Sequence, residues 1–126
     1  MFTSDRAFSS FAVKDLDEAK AFYGDKLGIP VQEMDMGLLE LTLGSGTRVM
    51  VYPKPDHEPA VYTILNFAVD DVEAAVDDLN ARGIVTKIYD DADFPTDDKG
   101  VSRDMGPAIA WFLDPSGNVL AVLSTS

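Results

Sequence analysis

Apolar and polar positions in the first half of the chain predict one strand, one helix and then three strands. Bulky side chains recur through residues 8–13 in the loose alternation that is typical of a strand. Helical spacing follows after Asp15, a good helix cap, and Gly28 is expected to end the helix. The apolar face of this helix comprises Leu16, Ala19, Tyr23 and Leu27. The three further strands are predicted at residues 31–36, 38–43 and 47–52.

The second half predicts the same order of elements. Residues 61–69 are typical of a strand, and Asp71 is expected to cap a helix that follows. The buried face of this helix is predicted to comprise Val72, Ala75, Val76 and Leu79. Further strands are predicted at residues 84–89, 105–113 and 119–123, with an acidic loop at 90–100.

The two halves also share sequence, which indicates a tandem repeat. The segment FAV at Phe11 recurs at Phe67, and Gly28-Ile29 recurs as Gly83-Ile84. We therefore expect one α+β domain over residues 1–126, built from two βαβββ modules in tandem with a central cleft. Module one is expected at about 6–53, a proline-rich linker at 53–60 and module two at about 61–124.

Charge and composition narrow the function classes. The formal net charge of −12 argues against nucleic acid and anionic membrane as partners, because both require clustered Lys and Arg. The absence of cysteine excludes disulfides, thiolate catalysis and thiolate metal sites. No apolar run reaches the roughly 20 residues of a membrane span, so we expect a cytoplasmic protein.

Two motifs resemble those of a known superfamily. V-x-D-L-x-x-A-x-x-F-Y-x-x-x-L-G at residues 13–28 and W-F-x-D-P-x-G-N at residues 111–118 are similar to motifs of the vicinal oxygen chelate superfamily. Glyoxalase I, extradiol dioxygenases, fosfomycin-resistance transferases and bleomycin-resistance proteins belong to it. The resemblance implies an open barrel-like mixed sheet formed by the two modules, and a homodimer.

The same resemblance locates the positions at which metal-using members carry His or Glu ligands. In this chain they correspond to Phe8, Met50, Ile64 and Ala121, none of which binds a hard divalent cation. We therefore expect no metal and no cofactor. The single histidine, His57, lies in the linker and is interpreted as a solvated residue, with proton transfer or weak metal binding as the alternative.

Strand alternation predicts which side chains share a face with those four positions. Ser10, Arg48, Tyr52 and Asn66 are the polar exceptions on this otherwise apolar face, and whether it forms a pocket or a filled core stays open. Tyr52 could form an aromatic rim together with Phe94, Met105 and Trp111. The predicted ligand-binding set is Phe8, Ser10, Arg48, Met50, Tyr52, Ile64, Asn66, Phe94, Met105, Trp111 and Ala121.

The leading functional hypothesis is a metal-free protein that binds a small organic molecule, cationic or aromatic, in an apolar cleft. One alternative is a lyase, isomerase or dioxygenase of the same superfamily. It would need metal ligands at other positions, or metal-independent chemistry through Tyr52, Arg48 or His57. A second alternative is a dimeric scaffold or regulatory module. The sequence favours binding over catalysis because no pair of side chains is placed for acid–base work.

Overall fold

The computed structural model describes residues 2–89, 95–103 and 106–124. The chain divides between Glu58 and Pro59 into two compact units, which we call the first module and the second module.

The first module contains one four-stranded mixed sheet and one helical stretch. Its elements are β1 (Ser9–Val13), α1 (Leu16–Lys20), a π-helical segment (Ala21–Lys26), β2 (Val31–Met34), β3 (Leu38–Thr42) and β4 (Arg48–Pro53). The strand order is β1-β4-β3-β2, with β1 parallel to β4 and the other pairs antiparallel. The predicted cap is confirmed, because the Asp15 carboxylate accepts hydrogen bonds from the Asp17 and Glu18 N–H groups at 2.8 and 3.1 Å.

One face of the first sheet is buried and carries the core of this module. Its buried residues alternate along the strands and are Val13, Leu39, Leu41, Val49 and Val51. The helical stretch contributes Ala19, Phe22 and Tyr23, and the rings of Phe22 and Tyr23 meet edge to face at 5.1 Å. Burying each large side chain contributes about 1.5–3 kcal/mol before entropy is subtracted, which fixes this face of the sheet inward.

The second module repeats the arrangement. Its elements are β5 (Thr63–Ala68), α2 (Val72–Ala81), β6 (Val101–Ser102), β7 (Ile109–Leu113) and β8 (Val119–Leu123). The strand order is β5-β8-β7-β6, with β5 parallel to β8. The Asp71 carboxylate caps α2 by accepting from the Ala74 N–H at 3.1 Å, and Val72, Val76 and Leu79 are buried. The predicted fold class, α+β with two tandem βαβββ modules, is confirmed.

The strand predicted at residues 84–89 is wrong. These residues form no ladder, and the two-residue strand β6 takes the edge of the second sheet instead. Side-chain hydrogen bonds join this segment to residues 96–99. The Thr86 hydroxyl donates to the Lys99 carbonyl at 2.6 Å. The Thr96 hydroxyl likewise donates to the Tyr89 carbonyl at 2.7 Å. These bonds satisfy polar groups that a ladder would otherwise satisfy.

Gly100 allows the two segments to approach this closely. A Cβ atom at Gly100 would overlap the carbonyl group of Thr86, and its φ of +87° is a conformation that favours glycine. Neither helix in the described part of the chain has the length and apolar character that crossing a membrane requires.

Candidate functional site

The face of the first sheet opposite the core carries a row of side chains set by strand register. Ser10 on β1 pairs with Met50 on β4, Met50 pairs with Glu40 on β3, and Glu40 pairs with Gln32 on β2. Directly paired residues point to the same side of a sheet, so these four side chains lie side by side. Met50 and Glu40 are half-buried, whereas Ser10 and Gln32 are exposed. We call this surface the open face of the first sheet.

A pocket of about 550 Å³ lies at this face, within the first module. Its lining residues are Arg6, Ala7, Phe8, Glu40, Gly46, Thr47, Arg48, Val49 and Met50. The volume falls within the roughly 300–1,000 Å³ typical of small-molecule sites. Phe8 is 65% exposed, so its ring presents apolar surface that a ligand could cover. The pocket therefore combines apolar side chains with a small number of charged groups.

Glu40 and Arg48 are the charged pair of this pocket. The nearest contact between them joins Arg48 Nε to Glu40 Oε1 at 3.9 Å, longer than the 2.7–2.9 Å of a charge-assisted hydrogen bond. The Glu40 side chain is 16% exposed, whereas the Arg48 side chain is 69% exposed. The guanidinium is thus loosely held near the carboxylate and reaches solvent.

Several predicted ligand-binding residues of the first module come together here. Phe8, Arg48 and Met50 line the pocket, and Ser10 lies beside Met50 in the adjacent strand. Tyr52, which is opposite Ala12 and exposed, lies two residues further along β4 and does not line this pocket.

The corresponding row of the second sheet is arranged differently. Asn66 pairs with Ala121, and Ala121 pairs with Trp111, so the three share a face. Trp111 is 7% exposed and Ala121 is fully buried in an apolar cluster with Val119. Ile88, Tyr89 and Ile109 pack against that cluster, and the Tyr89 ring meets the Trp111 ring edge to face at 5.3 Å. Most of this face is therefore filled with side chains.

The other predicted residues of the second module are not members of that cluster or lie outside the described chain. Asn66 is exposed, so water can satisfy its amide. Ile64 lies at an irregularity, because Thr63 pairs with Val119 and Leu65 with the next residue, Leu120. Phe94 and Met105 lie outside the described residues.

The residues at the positions where the resemblance implies metal ligands do not fit a divalent cation. Phe8 and Met50 line the pocket with a ring and a thioether, and the side chains of Ile64 and Ala121 hold no donor atom. Within residues 2–89, 95–103 and 106–124, no group of three or more His, Cys, Asp or Glu side chains could hold a metal ion. Among the described residues that line the pocket, Glu40 is the one carboxylate.

Sequence reasoning missed Glu40 and Arg6 as pocket residues. The signal for Glu40 was present, because β3 was predicted. Its alternation places Glu40 on the face away from Leu39 and Leu41, which are buried. Arg6 precedes β1 in a turn, where no periodicity applies.

His57, in the proline-rich segment, is half-buried, and its backbone N–H donates to the Lys54 carbonyl at 2.8 Å. Lys54 also contacts the Asp56 carboxylate at 2.7 Å. This hydrogen bond raises the pKa of Lys54 and lowers the pKa of Asp56. These charges are solvent-exposed and lie outside the lining of the pocket.

Comparison with known proteins gives one family match and many similar structures. The family model described as Glyoxalase/Bleomycin resistance protein/Dioxygenase superfamily matches residues 8–122. A glyoxalase family protein from Enterococcus faecalis is 24% identical, with 98% of this chain and 99% of that chain covered and a TM-score of 0.70. No curated protein sequence matches the chain.

Two further solved structures are of proteins described as binding bleomycin or an antibiotic. A bleomycin-binding protein complexed with bleomycin is 20% identical, with 97% of this chain and 99% of that chain covered and a TM-score of 0.69. TnmS3, an antibiotic binding protein from Streptomyces sp. CB03234, is 22% identical, with coverages of 99% and 100% and a TM-score of 0.69. At these identities the likeness shows a shared fold.

Proposed function

We propose, from the premise that this chain belongs to the glyoxalase/bleomycin resistance protein/dioxygenase superfamily, that it binds a small organic molecule without a catalytic metal. The binding site is the pocket of about 550 Å³ on the open face of the first sheet. The observation that carries this proposal is the pocket lining, in which Phe8 and Met50 present a ring and a thioether. The family resemblance assigns metal ligands to these two positions.

The apolar part of the lining supplies the affinity. Covering apolar surface contributes about 25 cal/mol per Å², and the Phe8 ring is largely in water when no ligand is present. Met50 lies half-buried between Ser10 and Glu40, where its flexible thioether can adapt to ligands of different shape. The structural relatives that bind bleomycin and another antibiotic support binding of an organic molecule by this fold.

Binding and metal content are tested together on the full chain. A library of fragments is screened by recording amide NMR spectra of the chain. Fragments that bind should shift the signals of Phe8, Arg48 and Met50. Addition of a chelator should leave the affinity unchanged, and calorimetry with zinc, nickel, manganese and ferrous ions should show no tight stoichiometric binding. Tight binding of one metal ion per chain would contradict the metal-free proposal.

A matched pair of variants locates the site. Phe8→Ala removes an exposed ring from the pocket and should weaken fragment binding. Tyr62→Ala removes a ring that is 69% exposed in the second module and should leave binding unchanged. Equal effects of both substitutions would show that the fragments bind elsewhere.

The proposal includes the homodimer expected from the family resemblance. Large apolar side chains that are exposed in the single chain support it, such as Phe2 and Val85. Light scattering should give twice the 13.7 kDa mass of one chain. A single-chain mass at every concentration tested would contradict the dimer.

A further inference from the structure

The charge of the pocket has the opposite sign to the charge of the whole chain. The chain carries 22 acidic and 10 basic residues, for a net charge of −12. The described residues of the pocket lining, in contrast, include two arginines, Arg6 and Arg48, and one carboxylate, Glu40. At physiological ionic strength, charges further away than about 8 Å are largely screened, so a bound ligand interacts mainly with these three groups, in which the arginines outnumber the carboxylate.

Arg48 has hydrogen-bonding capacity left for a ligand. A guanidinium has five N–H donors, and the contact of Arg48 with Glu40 is made through Nε at 3.9 Å. The two terminal nitrogens lie beyond Nε on a side chain that is 69% exposed. A planar fork of this kind matches a carboxylate or another oxyanion with two parallel hydrogen bonds.

The apolar residues place the rest of such a ligand. Arg48 lies two residues before Met50 on β4, so both side chains point to the open face of the first sheet. Phe8 lines the same pocket from the segment that leads into β1. An oxyanion at Arg48 would therefore carry an apolar or aromatic group over Phe8 and Met50.

We propose that the pocket selects an amphipathic organic anion, with Arg48 binding its acidic group and Phe8 and Met50 covering its apolar part. This inference rests on the proposed function, since it names the ligand class of the same pocket. It differs from the cationic ligand named in the hypothesis from the sequence. Glu40 lies 3.9 Å from Nε of Arg48, so the terminal nitrogens of the guanidinium are the ones left for the ligand.

Three probes of similar size and different charge test the inference: phenylacetate, phenylacetamide and phenethylamine. Their affinities are measured by NMR titration of the full chain at low and physiological salt. Phenylacetate should bind about fivefold or more tightly than phenylacetamide, because one paired carboxylate at a partly exposed site contributes about 1 kcal/mol. Phenethylamine should bind most weakly.

Charge-neutralising variants assign the preference to a residue. Arg48→Gln should reduce the affinity for phenylacetate to that for phenylacetamide, and leave phenylacetamide binding unchanged. Arg82→Gln removes an arginine of the second module that pairs with Asp78, and should leave all three affinities unchanged. A phenylacetate preference that survives Arg48→Gln would overturn the role of Arg48.

The remaining outcomes separate this inference from the proposed function. Equal affinities for the three probes, each weakened by Phe8→Ala, would refute selection of anions and leave small-molecule binding supported. Preferential binding of phenethylamine that Glu40→Gln abolishes would show a cation site and refute the inference. A further outcome is that none of the three probes shifts the pocket signals up to its solubility limit while another fragment shifts them. That result would refute the selection of amphipathic anions and leave small-molecule binding supported. A pocket that no fragment shifts would refute both.

Discussion

The same face of the sheet is open in the first module and filled in the second. Glu40 lies opposite Met50 in the first sheet, and Trp111 lies opposite Ala121 in the second, at equivalent places in the strand order. Glu40 is half-buried beside a pocket, whereas Trp111 is 7% exposed within an apolar cluster. One topology therefore leaves this face open beside a pocket in the first module and fills it with apolar side chains in the second.

The segment that follows the helix is associated with this difference. In the first module, β2 pairs with β3 and extends the sheet sideways. In the second module, residues 84–89 leave the sheet, and Ile88 and Tyr89 pack against Trp111. A segment that leaves the edge of a sheet is free to cover its face, which shows how two modules of one topology can differ in access.

The largest expected effect comes from removing the filled face. Trp111→Ala should lower the free energy of unfolding by about 3–5 kcal/mol, because it leaves a cavity beside Tyr89. Glu40→Ala, at the equivalent position of the first sheet, should change it by less than about 1 kcal/mol. Urea unfolding followed by far-ultraviolet circular dichroism measures both. Similar losses for the two variants would mean that the modules do not differ in this way.

A smaller loss of stability is expected when residues 84–89, which cover the face of the second sheet, lose a hydrogen bond. The buried Thr86 hydroxyl donates to the Lys99 carbonyl at 2.6 Å and accepts from Asn80 Nδ2 at 3.0 Å. Thr86→Val keeps the shape but leaves both partners without this hydroxyl, which should cost about 1–3 kcal/mol of unfolding free energy. In the Thr86→Val variant, amide hydrogen exchange near residues 84–89 should become faster than in the native chain, whereas exchange in β3 should not change. The exposed Thr47→Val serves as the control, and equal stabilities would contradict the role of Thr86.

The smallest expected effect depends on pH and concerns Asp97, which precedes β6. Burial alone would raise the pKa of the Asp97 carboxyl, but hydrogen bonds from the Val101 N–H, the Arg103 guanidinium and the Lys99 N–H outweigh burial and lower the pKa. The unfolded chain then binds the proton more readily than the folded chain does. The stability contributed by Asp97 is therefore complete above its unfolded pKa of about 3.9 and is lost as the pH falls through the lower folded value.

Asp97→Asn tests this pH dependence. At pH 6 the variant should be less stable than the native chain by less than about 1 kcal/mol, since solvent screens this partly exposed carboxylate. The difference should shrink as the pH is lowered below the unfolded value. Urea unfolding at several pH values measures it, with Asp35→Asn, at an exposed turn position, as the control. A difference that is constant with pH would contradict the assignment.

Local signals in the sequence predicted the parts of the fold that depend on neighbouring residues. Asp15 and Asp71 cap their helices through N–H groups two or three residues away, so the chain itself contains the whole interaction. The alternation of Arg48, Met50 and Tyr52 likewise follows from strand geometry alone.

Contacts across longer separations account for what the sequence did not predict. Residues 84–89 have the β-branched side chains of a strand, but Thr86 and Tyr89 are bound by residues that lie well beyond them in the chain. The irregularity at Ile64 depends on the register with β8, which no local pattern specifies. The pocket was only partly predicted, because Arg6 reaches it from a turn.

Gly100, in the second module, occupies a place where no side chain fits. Any other residue there would collide with the Thr86 carbonyl group, so a codon change would displace the segment that covers the second sheet. In the last hairpin of the first module, a Cβ at Gly46 would meet no atom of the described residues within 4 Å, and only its φ of +89° disfavours replacement. A side chain at position 100 therefore cannot be added without moving the backbone, whereas one at position 46 would cost only backbone strain.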